Sequence, residues 1–198
     1  MIETVLLAML VAKIKGYKLT PLFKDWAIYP AMIFTLFYVF LQITIFCGYY
    51  GFIKYAKLFE TIYIFTFLPL IFKYRLYVSA FAGSVCIFIG TALNKLAMSA
   101  NGYKMPVFPT LSYITGYTKP ESFLKVKDIH ILGSKVTKIK FLTDYIDLGY
   151  SILSIGDVFI RLFAFIIIFN SIKYINEINI KHKKVLGGKT KYVKNIIV

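Results

Sequence analysis

Apolar residues in this chain fall in long runs, without the alternation of a half-buried strand or the stripe of a surface helix. Five runs stand out, over about 2–14, 27–53, 58–72, 76–100 and 152–175. A helix needs about 20 apolar residues to cross a hydrocarbon core of about 30 Å. The second, fourth and fifth runs have that length. The first rises only about 20 Å. It reaches across if Lys13 and Lys15 extend to the headgroups and the helix continues through Tyr17 to Leu19. The third is also short, with Pro69 near its end and Lys73 and Arg75 beyond. The pattern predicts an all-α fold, a polytopic α-helical membrane protein of about five transmembrane helices.

Residues 101–150 break the pattern with prolines, glycines and mixed charges, and read as one long extramembrane loop between helices 4 and 5. The chain then divides into a single membrane domain over 1–175 and a basic tail over 176–198. The tail is expected to be mobile and to rest on lipid headgroups. At the amino end, Glu3 precedes the apolar run and lysines follow it. A secretory signal has the reverse order, so the first run reads as a retained span.

Composition agrees: 59% of residues are hydrophobic and mean hydropathy is +0.70, above the usual share for a soluble domain. The net charge is +15. Such an excess suits nucleic acid or the anionic face of a membrane. The lysines flank apolar runs and do not gather on one face, so the lipid bilayer is the expected partner and nucleic acid is not. Lys13, Lys15, Lys18 and Lys24 follow the first run, Lys73 and Arg75 the third, and seven lysines from Lys173 to Lys194 the fifth. These three segments share one side if all five runs span. That side is cytoplasmic by the positive-inside rule, which places the amino terminus and the long loop outside. The expected location is a bacterial plasma membrane. Cys47 and Cys86 both fall in apolar runs, and no C-x-x-C or His/Cys cluster exists. No disulfide, metal or cofactor is expected.

Chemistry would rest on the polar residues inside or beside the runs. Thr35, Gln42 and Tyr49 recur at spacing seven, with Tyr38 between, which is one helix face. Gly83, Gly90 and Ala97 recur likewise and form a small-residue stripe for a neighbouring backbone. Asn94 lies beside that stripe and Asn101 seven residues on. One reading makes Gln42, Asn94 and Thr35 hydrogen-bond glue between helices. The other is a polar binding pocket at the outer side, built from Gln42, Asn94, Asn101 and Asp157 and roofed by the long loop. Asp157 and Arg161 are four apart in the fifth run. Either they form an ion pair, or Asp157 reaches water, or it serves the pocket. Asp144 and Asp147, three apart, either cap a helix and face water or act as paired carboxylates for acid–base work or Ca²⁺. His130 is an interface residue or the partner of Asp144 or Asp157.

"LNKLAMSANGYKMPVFP" (Leu93–Pro109), His130, "KVTKIKFLTDYIDL" (Lys135–Leu148) and "SILSIGDVFI" (Ser151–Ile160) together carry a resemblance. The chain resembles a bacterial, clostridial-type family of small integral membrane proteins, a domain of unknown function with N-G-x-x-M-P-V and S-I-G-D signatures. Tyr103 and Lys104 stand where that family has Gly and Arg. The resemblance implies a membrane fold over nearly the whole chain and no chemistry.

The expected function is a non-enzymatic structural, accessory or small-molecule-binding component. The alternative is a membrane enzyme or transporter acting at the outer face, with Asp157, His130 and Asp144 as the catalytic candidates. The chain is poor in histidine and arginine, which favours the first. A membrane-protein partner or a homo-oligomer fits either.

Overall fold

A computed structural model of the chain describes residues 1–119, 123 and 128–194, with side chains as far as 180. In order, the elements are α1 (Ile2–Ile14), α2 (Thr20–Phe23), α3 (Tyr29–Phe46), α4 (Ala56–Phe65), α5 (Leu68–Lys73), α6 (Tyr77–Ala100), β1 (Met105–Val107), α7 (Leu111–Thr115), β2 (His130–Leu132), β3 (Ile146–Asp147), β4 (Ile152–Leu153) and α8 (Ile155–Lys194). The protein is mostly helical. Among the described residues four helical segments are long and apolar enough to cross a membrane: Trp26–Phe46, Ile53–Lys73, Tyr77–Ala100 and Ile155–Ile180.

Local backbone chemistry explains where the helices depart from the apolar runs. α1 does not continue to Leu19. Gly16 takes φ +80°, its N–H donates to the Lys13 carbonyl, and the Tyr17 N–H donates to that of Ala12. This pair of bonds around a left-handed glycine closes a helix. α1 therefore stays at 13 residues. It packs Val5, Ala8 and Ala12 inward and leaves Leu6, Leu10 and Ile14 exposed. α3 ends the same way. Gly48 has φ +78° and the Tyr49 N–H donates to the Thr44 carbonyl, so the helix stops short of the end of its apolar run. The third run is broken at Thr66–Phe67, between α4 and α5. Pro69 sits in the first turn of α5 and has no N–H to return to α4. α8 runs on past Ile175, so the described part of the expected tail, 176–194, is helix. Residues 195–198, and the side chains of the tail lysines from Lys181 on, lie outside the described residues.

α8 is the central helix. Phe163, Ala164, Ile167, Ile168 and Ile172 are buried in the main core with residues of α1, α2 and α5. α6 crosses α8 along its small-residue stripe, and Gly83, Gly90 and Ala97 are its buried residues. A methyl group on Gly90 would lie 2.3 Å from the Gly156 carbonyl oxygen, and one on Gly156 would lie 2.5 Å from that of Gly90. The two backbones touch there, as small residues permit in membrane helix pairs. Val78, Phe81 and Phe88, on the other side of α6, are 73% exposed or more.

The bundle has two chemically different ends. At one, the Asn176 amide accepts from the Lys18 N–H and donates to the Lys18 carbonyl, each at 2.9 Å. Asp25 pairs with Lys73 at 2.7 Å and accepts a short bond from the Tyr74 hydroxyl. The lysine-bearing segments after α1, after α5 and along α8 thus meet at this end. At the other, Gln42 donates to the Tyr150 carbonyl at 3.4 Å and Phe46 meets Tyr117 edge-on at 5.0 Å between ring centres.

The segment 101–150 caps that second end and is folded where described. α6 closes at Gly102, φ +65°, with the Tyr103 N–H donating to the Met98 carbonyl. Tyr103 is also left-handed, at φ +62°, a conformation glycine adopts freely and tyrosine does not. β1 lies in the middle of a small parallel arrangement. It pairs with β2 in the register Met105↔His130 and bridges on its other edge from Val107 to Asp144. β3 and β4 form a hairpin turned at Gly149, φ +82°.

Candidate functional site

Asp157 is held by the start of its own helix. Ser154 caps α8: its hydroxyl accepts from the Asp157 N–H at 2.9 Å, and the Asp157 carboxylate accepts from the Ser154 N–H at 3.0 Å. This reciprocal capping box satisfies two backbone donors that a helix start leaves open. Asn94 completes it from α6. Its amide nitrogen donates to Asp157 at 2.8 Å and its oxygen accepts from the Ser154 hydroxyl at 2.7 Å. Each polar letter of S-I-G-D therefore has a local task, and Gly156 provides the close approach to Gly90.

Arg161 does not pair with Asp157. Its guanidinium faces Glu3 at 3.4 Å, and it lies 3.4 Å from the Ser151 hydroxyl. Asn101 is not beside Asn94 either. It donates to the Ala97 and Lys138 carbonyls and accepts from the Lys138 N–H, and so clamps the loop to the end of α6. Gln42 lines a separate cavity of about 190 Å³ with Tyr38, Ser151, Tyr117 and Arg161. The four residues expected to form one pocket thus occupy three places, and only Asn94 and Asp157 meet.

The loop carboxylates divide sharply. Asp147 accepts from the N–H groups of Thr110, Ser112 and Gly149 and from the Ser112 hydroxyl. It caps α7 and ties down the β3–β4 turn. Burial would push its carboxyl up, but these donors hold it below the usual range. Asp144 is the reverse case. Its side chain is 6% exposed, one oxygen lies 3.6 Å from His130 Nε2, and the other has no hydrogen-bond partner among the described residues. Burial, and then the nearby Asp157 charge, push it up to about 7 against the opposing pull of His130. Buried carboxylates seldom lack a partner.

The β1 strand brings these groups together. His130 and Asp144 flank it on opposite edges, fixed by the Asp144 N–H on the Pro106 carbonyl (3.1 Å) and the Phe108 N–H on the Asp144 carbonyl (2.8 Å). Proline suits a position that gives the sheet a carbonyl. Asp128 then holds His130 Nδ1 at 2.6 Å. Burial alone would lower the imidazole's pKa, but Asp128, Asp144 and Asp157 raise it above the ordinary value. Asp128, Asp144 and His130 line a cavity of about 280 Å³ whose walls include Tyr50, Tyr117 and Ile152. Ile45, Ile53, Ala56 and Tyr117 separate it from the first cavity. Among the described residues no group of three or more His, Cys, Asp or Glu could hold a metal.

A model of a family of unknown function, DUF5317, matches residues 19–169, more than half of the chain. The chain belongs to this family. No curated protein and no solved structure matches it. The DUF5317 match contains the capping box, the β1 platform and both cavities' walls save Met1, and leaves out α1 with Glu3.

Asp128, Glu3 and Tyr117 were not singled out from the sequence. Asp128 stands two residues before His130, a D-x-H spacing that a search for histidine-orienting carboxylates would find. Glu3 and Arg161 lie at opposite ends of the sequence and carry no local signal.

Proposed function

We propose that this protein is a non-enzymatic, small-molecule-binding component of the membrane, with its ligand held in the cavity of Asp144 and His130. One observation supports the reading above others: Asp144 lines a cavity of mixed polar and aromatic walls, and one oxygen of its buried carboxylate has no hydrogen-bond partner among the described residues. A ligand donor group there would supply the missing partner. The test is thermal unfolding of the purified chain in detergent against a chemically mixed set of soluble compounds. At least one class should raise the melting temperature, and the shift should vanish in both Asp144→Asn and Tyr117→Leu. Shifts that survive both substitutions, or none at all, would sink the reading.

A second reading is acid–base catalysis in the same cavity. It is favoured by the Asp128 contact, which leaves His130 Nε2 directed toward Asp144. Chemical conversion of a bound compound, lost in His130→Gln, would promote it.

We further propose a bacterial plasma-membrane location with the amino terminus and the 101–150 loop outside and the carboxyl end in the cytoplasm. The meeting of the lysine-bearing segments at the opposite end supports that orientation. Val136 is 85% exposed in the loop. In a chain with Cys47 and Cys86 replaced, Val136→Cys should react with an impermeant thiol reagent on intact cells. Reaction only after lysis would invert the orientation.

A further inference from the structure

We propose that the ligand of this cavity is a small organic cation, its charge set against Asp144 and its apolar body against Tyr117. The proposal rests on the binding reading above and adds the chemical class. Charge distribution is the first support. The chain has a net charge of +15 and only nine acidic residues. Six of them, Glu3, Glu60, Asp128, Asp144, Asp147 and Asp157, gather at the loop end. Among the described residues no lysine or arginine lines the larger cavity. Lys104 comes near, but it is bonded to the Asp128 carbonyl at 2.8 Å and is not part of the lining.

Within the cavity the balance is negative. His130 is the single basic group among the described lining residues, and Asp128 already engages it at 2.6 Å. Asp144 is left with one oxygen 3.6 Å from the imidazole and one without a partner among the described residues. A cation bound there would face a charge that the protein itself does not neutralise. An incoming anion would meet two carboxylates.

The walls decide between an inorganic and an organic cation. A hard metal ion demands six or more oxygen ligands or a set of strong donors, and the described residues offer no such group. The remaining lining is aliphatic and aromatic, with Tyr50, Tyr117 and Phe123 beside Ile53 and Ile152. Aromatic faces attract ammonium groups, and alkylated ammonium ions carry too little hydration to lose much on entry. A volume of about 280 Å³ suits a compact ligand. Tyr117 and Ile53 also line the smaller cavity, whose walls include Tyr38, Gln42 and Phe59.

The experiment compares choline with 3,3-dimethylbutan-1-ol, its uncharged isostere, on the full chain in a neutral detergent at pH 8.5. Asp144, with its value near 7, is ionised there. Choline should bind at least tenfold more tightly than the alcohol. Asp144→Asn should lower choline affinity at least tenfold and leave the alcohol unchanged, and Tyr117→Leu should weaken choline as an independent check. Each variant's unliganded melting curve establishes that it is folded. Equal binding of the two isosteres, or no binding of choline, overturns the proposal. If other compounds still bind in an Asp144-dependent way, the binding reading survives without it. If calcium chloride shifts the wild type and not Asp144→Asn, the site is for a metal ion and the proposal is wrong.

Discussion

Gly90→Leu should strongly destabilise this bundle. A side chain there must begin with a carbon 2.3 Å from the Gly156 carbonyl oxygen and 3.1 Å from the Ile160 nitrogen. Both obstacles are backbone, so no rotamer change relieves them. α6 and α8 would have to separate. That separation also pulls Asn94 from Ser154 and Asp157, because Asn94 lies one turn along the same face of α6. Overpacking in a close-packed core costs about 1–3 kcal/mol and more where the backbone must move. We expect a loss of about 3 kcal/mol or more, and a melting temperature lower by roughly 10 °C on the scaling for chains of this size. Phe88→Leu, at a position 75% exposed on the outer side of the same helix, should change little. Equal losses in the two variants would mean that the crossing at Gly90 is not tight.

The second large effect is on pH. An aspartate whose folded value is raised from 3.8 to about 7 binds its proton more tightly folded than unfolded. Stability must therefore fall as pH rises between those values and level off above them. His130 acts in the same direction. Its folded value is raised, so its contribution is fully present below about 6.5 and is lost as pH climbs through the folded value. Asp128 has the opposite sign. Burial works against its charge but His130 holds its carboxyl down, so what it adds is lost only in acid, below its ordinary value. Between pH 5 and 8.5 the protein should become less stable by an amount on the order of a few kcal/mol. Asp144→Asn should flatten much of that slope and melt higher than the wild type at pH 8.5. A flat wild-type profile would show that Asp144 ionises freely and that its oxygen is not isolated.

How far the sequence discloses this molecule depends on the range of the interaction. Helices are local, and the apolar runs mark them well. The spacing of Gly83, Gly90 and Ala97 also marks the α6–α8 contact, because a period of seven is one helix face. Helix ends are harder. Gly16 and Gly48 stop two helices inside stretches whose hydropathy runs on, and Pro69 splits a third. The loop platform is the least visible. β1 and β2 have three residues each and pair across a long intervening segment, too short for a period-two pattern to register. Without that pairing, nothing in the text of the chain sets Asp144 beside His130. Asp147 and Asp144 look alike in the sequence. They differ in their surroundings: Thr110, Ser112 and Gly149 donate to Asp147, whereas Asp144 faces His130. Arg161 likewise finds Glu3 rather than Asp157 because α1 runs alongside α8.

That last contact bears on how the protein is made. α1 is synthesised well before α8, the helix against which it packs. At about 5–20 residues per second, on the order of ten seconds separates the two. During that interval the face formed by Val5, Ala8 and Ala12 has no α8 to cover it, and Glu3 has no Arg161. A 13-residue helix is too short to settle across a bilayer by itself. Until α8 is made, that face of α1 lacks the residues that cover it in the folded bundle. A chain halted before α8 would keep that face uncovered.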